Sequence, residues 1–234
     1  SRLPGKTLIK LNQYRTTLDF VVNQLSFSAL LDKIVIATTN LEQDNIIETN
    51  AKTLGIDCFR GSSDDVLDRY YHCAKKFQNN TIVRNTSDCP LIDPLIVQKG
   101  ISLFLGNSYD YVTNTFPRTF PDGNETEIFS FKALDTAYSN SILPSEHEHV
   151  TPYFRNNKDK FRIKNVINKK NLSSHRWTLD YQEDYWLMCT VLRILGPYAS
   201  QKEISEIFTS NKDLHKVNWF RNDEYILNLK KNKK

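Results

Sequence analysis

Short apolar runs alternate with longer amphipathic segments along most of this chain. The run KIVIATT (33–39) is rich in β-branched residues and bounded by polar ones, the pattern of a buried strand. From Glu42 to Leu54, the residues Ile46, Ile47, Ala51 and Leu54 recur at helical spacing, and Gly55 supplies the stop. IDCF (56–59) predicts a second strand, after which Asp64 or Asp65 caps a helix whose Val66, Leu67, Tyr70, Ala74 and Phe77 share one face. TIVRN (81–85) predicts a third strand, and Asp93-Pro94 sets the cap and first turn of a helix that runs to about Leu105. YDYVTN, EIFSF, FRIKNVI and RWTL predict further strands, with helices near 131–140, 147–157 and 182–195. The order βαβαβα, followed by a mixed region, predicts an α/β fold: a three-layer αβα sandwich around a mostly parallel, Rossmann-like sheet. That domain spans 1–196; residues 197–234 read as a helical appendage and basic tail packed on it or on a partner.

Composition narrows the function classes. The 234 residues carry a net charge of +4, and much of the excess lies in the terminal KKNKK, so no basic stripe of nucleic-acid-binding scale is present. No apolar run approaches the roughly 18 residues of a membrane span. The four cysteines (Cys58, Cys73, Cys89, Cys189) are scattered without CxxC or zinc-ligand spacing. They read as reduced thiols, and the expected compartment is the cytoplasm.

In open parallel sheets, ligands bind beyond the carboxyl ends of the strands. TSDCPLIDP follows TIVRN and places Asp88 on such a turn; DYQED follows RWTL and places Asp180 in an equivalent position. Two carboxylates so placed suit Mg²⁺, which takes one or two carboxylates and fills its shell with phosphate and water oxygens. The alternative is that both are plain helix caps. Arg2 and Lys6 flank the opening Leu-Pro-Gly turn, an anion-holding pattern. Arg118 lies in NTFPRTFPDGNETE, a loop longer than a connection requires, whose aromatic walls and polar tips suit a sugar as well as they suit a cover for the sheet edge. His147 and His149 are two apart and point in different helical directions, which argues against zinc. No GxSxG elbow and no Walker A pattern occurs.

SRLPGK, IVIATT, FRGSSDDVLDRYY, VRNTSDCPLIDP, YDYVTNTFPRTFPDG, EHVTPY and RWTLDYQEDY stand in an order that resembles the cytidylyltransferase family. The branch is that of the spore coat polysaccharide biosynthesis proteins, related to the synthetases of CMP-activated acidic sugars. The resemblance covers nearly the whole chain, including NWFRNDEY near its end. It implies the nucleotide-diphospho-sugar transferase fold and Mg²⁺-dependent transfer of CMP from CTP to a sugar hydroxyl, with a homodimer as the common assembly. By motif, Asp88 and Asp180 match the metal ligands and, with Lys6, the catalytic set. Arg2, Lys6, Ser62, Asp65 and Arg84 match the nucleotide side, and Arg118, Asp122, Glu127, His149 and Arg176 the sugar side. Ser87 stands where the family often has Gly, and Glu125 where Asp is common. The family's first strand and its QARMGS segment would stand before Ser1, so two strand edges are expected to lie open in the chain as it stands. Two other classes remain: a glycosyltransferase or a nucleotidyltransferase using another base on the same fold, and a non-catalytic sugar-binding remnant.

Overall fold

The structure, a computed structural model, describes residues 2–222. The basic tail and the end of NWFRNDEY lie outside the described residues. A 3₁₀ turn at Lys6–Leu8 leads to α1 (Thr17–Ser26), followed by β1 (Val35–Thr39), α2 (Asn45–Thr53), β2 (Asp57–Gly61), α3 (Val66–Lys76) and β3 (Thr81–Arg84). Next come α4 (Pro94–Leu105), β4 (Tyr111–Thr113), β5 (Glu127–Ser130), α5 (Phe131–Asn140), α6 (Pro144–His149), α7 (Pro152–Asn156) and β6 (Ile163–Asn165). The described chain ends with α8 (Gln182–Leu195), α9 (Gln201–Ser210), a 3₁₀ segment at Lys212–Val217 and one further turn to Asn222.

The predicted α/β class is the observed one. Side chains on β4 and β5 alternate between two cores, as period two requires. Tyr111 and Phe129 face Leu67, Leu134 and Phe154, while Val112 and Ile128 face Val97, Ile101 and Phe104. The sheet is therefore covered on both faces. A third core joins Trp177 and Leu179 to Leu187, Val191, Ile204 and Phe208, so α9 packs in the same cluster as α8.

Two expectations are corrected. RWTL (176–179) is no strand: it makes a single bridge, Asp122 to Arg176, and its other backbone bonds go to loops. The N–H of Trp177 donates to Asp122 O at 2.6 Å and that of Leu179 to Asp88 O at 2.8 Å. Its apolar pattern records the burial of Trp177 and Leu179, not sheet pairing. The helix expected near 147–157 is two short helices, separated at Val150, where φ is +69°. One helix is additional: α1 begins with a capping box in which Thr16 and Asp19 exchange hydrogen bonds.

The strands form two sheets, β1–β2 and β3–β5–β4–β6. Within the larger one β5 is antiparallel to β3 and β4, and β6 is parallel to β4. Among the described residues no strand pairs with the outer edge of β1 or of β3. Both edges line a cleft of about 580 Å³, together with Leu18, Val21 and Leu25 of α1. The cleft reaches Asn85, Thr86 and Ser87, next to Asp88.

The pairing of the 121–124 turn with 175–177 depends on one glycine. Gly123 has φ +103°, and a Cβ there would lie 2.4 Å from Trp177 O. Gly123→Ala should therefore cost about 2 kcal/mol or more, read as a lowered midpoint in urea denaturation.

Candidate active site

Asp88 lies on the turn after β3, and Asp180 two residues before α8. The Leu179 N–H to Asp88 O bond ties these turns, with support from Thr178 Oγ1 to the same oxygen at 3.3 Å. The two carboxylates then converge on one point. Lys6 Nζ lies 2.6 Å from Asp88 Oδ2 and 2.8 Å from Asp180 Oδ1. The 3₁₀ turn after Gly5, which has φ +71°, carries Lys6 there. Burial opposes the lysine's charge, but the two acids outweigh it, and its pKa is raised. Burial likewise works against the Asp180 carboxylate, and hydrogen bonds from Lys6 and Arg176 override it, holding its pKa below the usual range.

Behind Asp180 stands a fully buried ion pair. Arg176 is 1% exposed and Asp184 0%. Arg176 Nε and Nη2 each donate to Asp184 at 3.0 Å, Nη2 also donates to Asp180 Oδ2 at 2.8 Å, and Nη1 donates to Asp122 Oδ2 at 3.0 Å. Asp184 further accepts the backbone N–H groups of Asp180 and Tyr181, both at 2.9 Å, at the start of α8. Arg2 Nη1 donates to the Tyr181 hydroxyl at 3.0 Å and lies 3.7 Å from Asp180 Oδ2. Beyond Asp122, Arg118 reaches Asp122 at 3.3 Å and Glu125 at 3.1 Å.

The predicted residues Arg2, Lys6, Asp88, Asp180, Arg176, Asp122 and Arg118 therefore share one network. The other candidates sit in separate contacts. Ser62 accepts the Asp65 N–H at 3.1 Å, while Asp65 caps α3 through Asp68 N at 2.8 Å and meets His147 Nδ1 at 2.7 Å. Arg84 on β3 pairs across the sheet with Glu127 on β5 at 2.7 Å, and the Tyr111 hydroxyl donates to the same Glu127. His149 is 56% exposed beside Glu148. Three contributors went unassigned in the sequence: Asp184, Glu125 as a charge partner, and Asn218. Asp184 had a readable signal, an acid in the first turn of a predicted helix, where its carboxylate can cap free N–H groups.

The donors suit a hard divalent cation. Two carboxylate oxygens already enclose a positive point charge, and they present only oxygen. Among the described residues no group of three or more His, Cys, Asp and Glu side chains has metal-holding geometry. An ion here would rest on Asp88 and Asp180, leaving room for phosphate and water oxygens.

Two predictions follow from these charges. Removing one partner of a buried ion pair strands the other, so Asp184→Ala should cost about 3–5 kcal/mol in urea denaturation. Burial and the neighbouring Asp122 charge raise the Glu125 pKa to about 8, with Arg118 opposing. A carboxyl that binds its proton more tightly when folded stabilises the fold while protonated. That contribution declines as pH rises from the ordinary carboxylate range through about 8. Glu125→Gln should flatten this part of the stability–pH curve, measured as thermal midpoints between pH 5 and pH 9.

The family model described as Cytidylyltransferase matches residues 1–233. The spore coat polysaccharide biosynthesis protein SpsF of Bacillus subtilis is 30% identical over 224 residues, covering 91% of each chain. An uncharacterized protein of Methanocaldococcus jannaschii is 38% identical over 162 residues, 69% of this chain and 65% of that relative's length. Among solved structures, a cytidylyltransferase from Leptospira borgpetersenii superposes with a TM-score of 0.88 at 35% identity, covering 92% of this chain and 91% of that one. A CMP:2-keto-3-deoxy-manno-octonic acid synthetase complexed with CTP shares the fold, with a TM-score of 0.63 at 13% identity over 83% of this chain and 94% of that one. With a match along nearly its whole length, the chain belongs to the cytidylyltransferase family.

Proposed function

We propose that this chain transfers CMP from CTP to a sugar hydroxyl, with Mg²⁺, and releases pyrophosphate. The observation that carries the reading is the convergence of Asp88 and Asp180 on one positive charge, the Lys6 ammonium, with Arg2 beside Asp180. The acceptor oxygen attacks the α-phosphorus, the bond from that phosphorus to the bridging oxygen breaks, and pyrophosphate leaves with the electron pair. The hydroxyl proton passes to solvent. Such a displacement asks a protein for alignment and charge neutralisation more than for covalent chemistry. Asp88 and Asp180 would hold Mg²⁺, which when bound offsets phosphate charge and lowers the acceptor hydroxyl's pKa. Lys6 and Arg2 would be the cations that meet the leaving pyrophosphate.

The sugar side is proposed to begin at Arg118, whose guanidinium between Asp122 and Glu125 can face the carboxylate of an acidic sugar. The name of the Bacillus subtilis relative supports a role in surface polysaccharide biosynthesis. Among the described residues no helix is long and apolar enough to cross a membrane. A cytoplasmic homodimer is the form we expect of the enzyme.

The test is pyrophosphate release from CTP with a panel of sugar acids and Mg²⁺. Asp88→Asn and Asp180→Asn should each lower the rate at least about 100-fold, and UTP or ATP should substitute poorly. Release that survives Asp88→Asn would overturn the metal role; equal use of all triphosphates would overturn the base preference.

A further inference from the structure

The stretch NWFRN (218–222) takes no part in the reaction proposed above, yet its side chains converge on the loop that carries Asp180. Asn222 Nδ2 donates to Ser174 O at 2.8 Å. Arg221 Nη2 donates to Glu183 Oε1 at 2.9 Å, and its guanidinium lies 4.1 Å from the centre of the Tyr181 ring, which also faces Arg2 at 5.1 Å. The deepest contact is that of Asn218, 1% exposed. Its Nδ2 donates at 2.9 Å to Arg176 O and at 2.9 Å to Asp184 Oδ1.

Arg176 and Asp184 are thus addressed from behind by a single carboxamide. The amide orientation is fixed by these acceptors, because a flipped amide would set oxygen against a carbonyl and a carboxylate. Among the described residues Asn218 Oδ1 is buried without a hydrogen-bond partner, while both of its amide donors are used. Asp184 in turn holds the Asp180 backbone N–H and shares Arg176 with the Asp180 carboxylate. A short relay runs from residue 218 through Asp184 and Arg176 to the carboxylate that faces Lys6.

We propose that Asn218 is a positioning residue: with its neighbours in NWFRN it braces the 174–184 loop so that the Asp180 carboxylate keeps the orientation needed to meet Asp88. The proposal rests on the reading of Asp180 as a metal-holding acid in nucleotidyl transfer. Groups that orient a metal-holding side chain from behind typically change metal affinity or activity about 10–100-fold when removed.

The experiment compares the wild-type chain with Asn218→Asp, which keeps the side-chain shape, removes both donors and sets a second carboxylate against Asp184, and with Asn218→Ala, which removes the donors and the shape without adding charge. Hydrogen exchange is followed at the amides of Asp180 and Tyr181 and, as a control, across α5. Mn²⁺ binding in the presence of CTP is followed by loss of the free-ion magnetic resonance signal, and kcat and KM for CTP are measured in parallel. Both variants should speed exchange at Asp180 and Tyr181 about tenfold or more, with α5 unchanged. Mn²⁺ affinity should fall about 10–100-fold, and the loss of activity should lie in kcat rather than in KM for CTP. Unchanged exchange at those amides, an equal rise in α5, or an effect of Asn218→Ala that Asn218→Asp does not share would each overturn the proposal. If the wild type binds no Mn²⁺ with CTP, the nucleotidyl transfer reading fails, while the exchange data still decide whether Asn218 holds the loop.

Discussion

The site depends on an ion pair that solvent does not reach. Placing the Arg176 guanidinium and the Asp184 carboxylate in the interior costs several kcal/mol of desolvation per ion, and their mutual attraction returns that only with every remaining valence engaged. Here four of the five Arg176 N–H donors and both Asp184 oxygens are engaged. Arg176 spends its donors on Asp184, Asp180 and Asp122, and Asp184 accepts from Arg176, two backbone N–H groups and Asn218. A pair of this kind is a poor way to gain stability and a good way to fix geometry, since each bond requires a particular direction. The direction it fixes is that of Asp180.

From that pair outward the charges alternate in sign: Asp88, Lys6, Asp180, Arg176, Asp122, Arg118, Glu125. Two acids of the row show how much their neighbours matter. Glu125 meets Arg118 on one side and the like charge of Asp122 on the other, and its pKa rises. Asp180, flanked by two cations, is driven the opposite way. Under the proposed reaction, a divalent ion held by Asp88 and Asp180 would take the place of the Lys6 ammonium and free Lys6 for the phosphates.

Much of this was legible in the sequence, for identifiable reasons. Strand ends and helix caps are local, so β-branched runs and Asp-Pro placed β1, β3 and α4 within a few residues, and Asp88 followed from its position after β3, whereas Asp180 was reached through RWTL, a run that forms no strand. RWTL misled because Trp177 and Leu179 are buried by a core without being paired in a sheet, and an apolar run looks the same in both settings. Asp65 offered two local meanings, cap or ligand contact, and the structure shows the cap together with His147, a partner 82 residues away that no pattern near Asp65 announces. Asn218 was out of reach for the same reason: its partners lie 42 and 34 residues back.

Distance in sequence also explains why the two halves of the site differ in kind. Asp88 and Asp180 can be read as catalytic types because their chemistry is carried by their own side chains. Asn218 is neutral, has no distinctive spacing, and matters only through the groups it orients. A buried donor of this sort becomes visible when its acceptors are known, and both of its acceptors belong to residues that already hold Asp180. The chain therefore encodes its candidate active site twice. Carboxylates and cations specify the chemistry, and hydrogen bonds at the back of the 174–184 loop specify where that chemistry points.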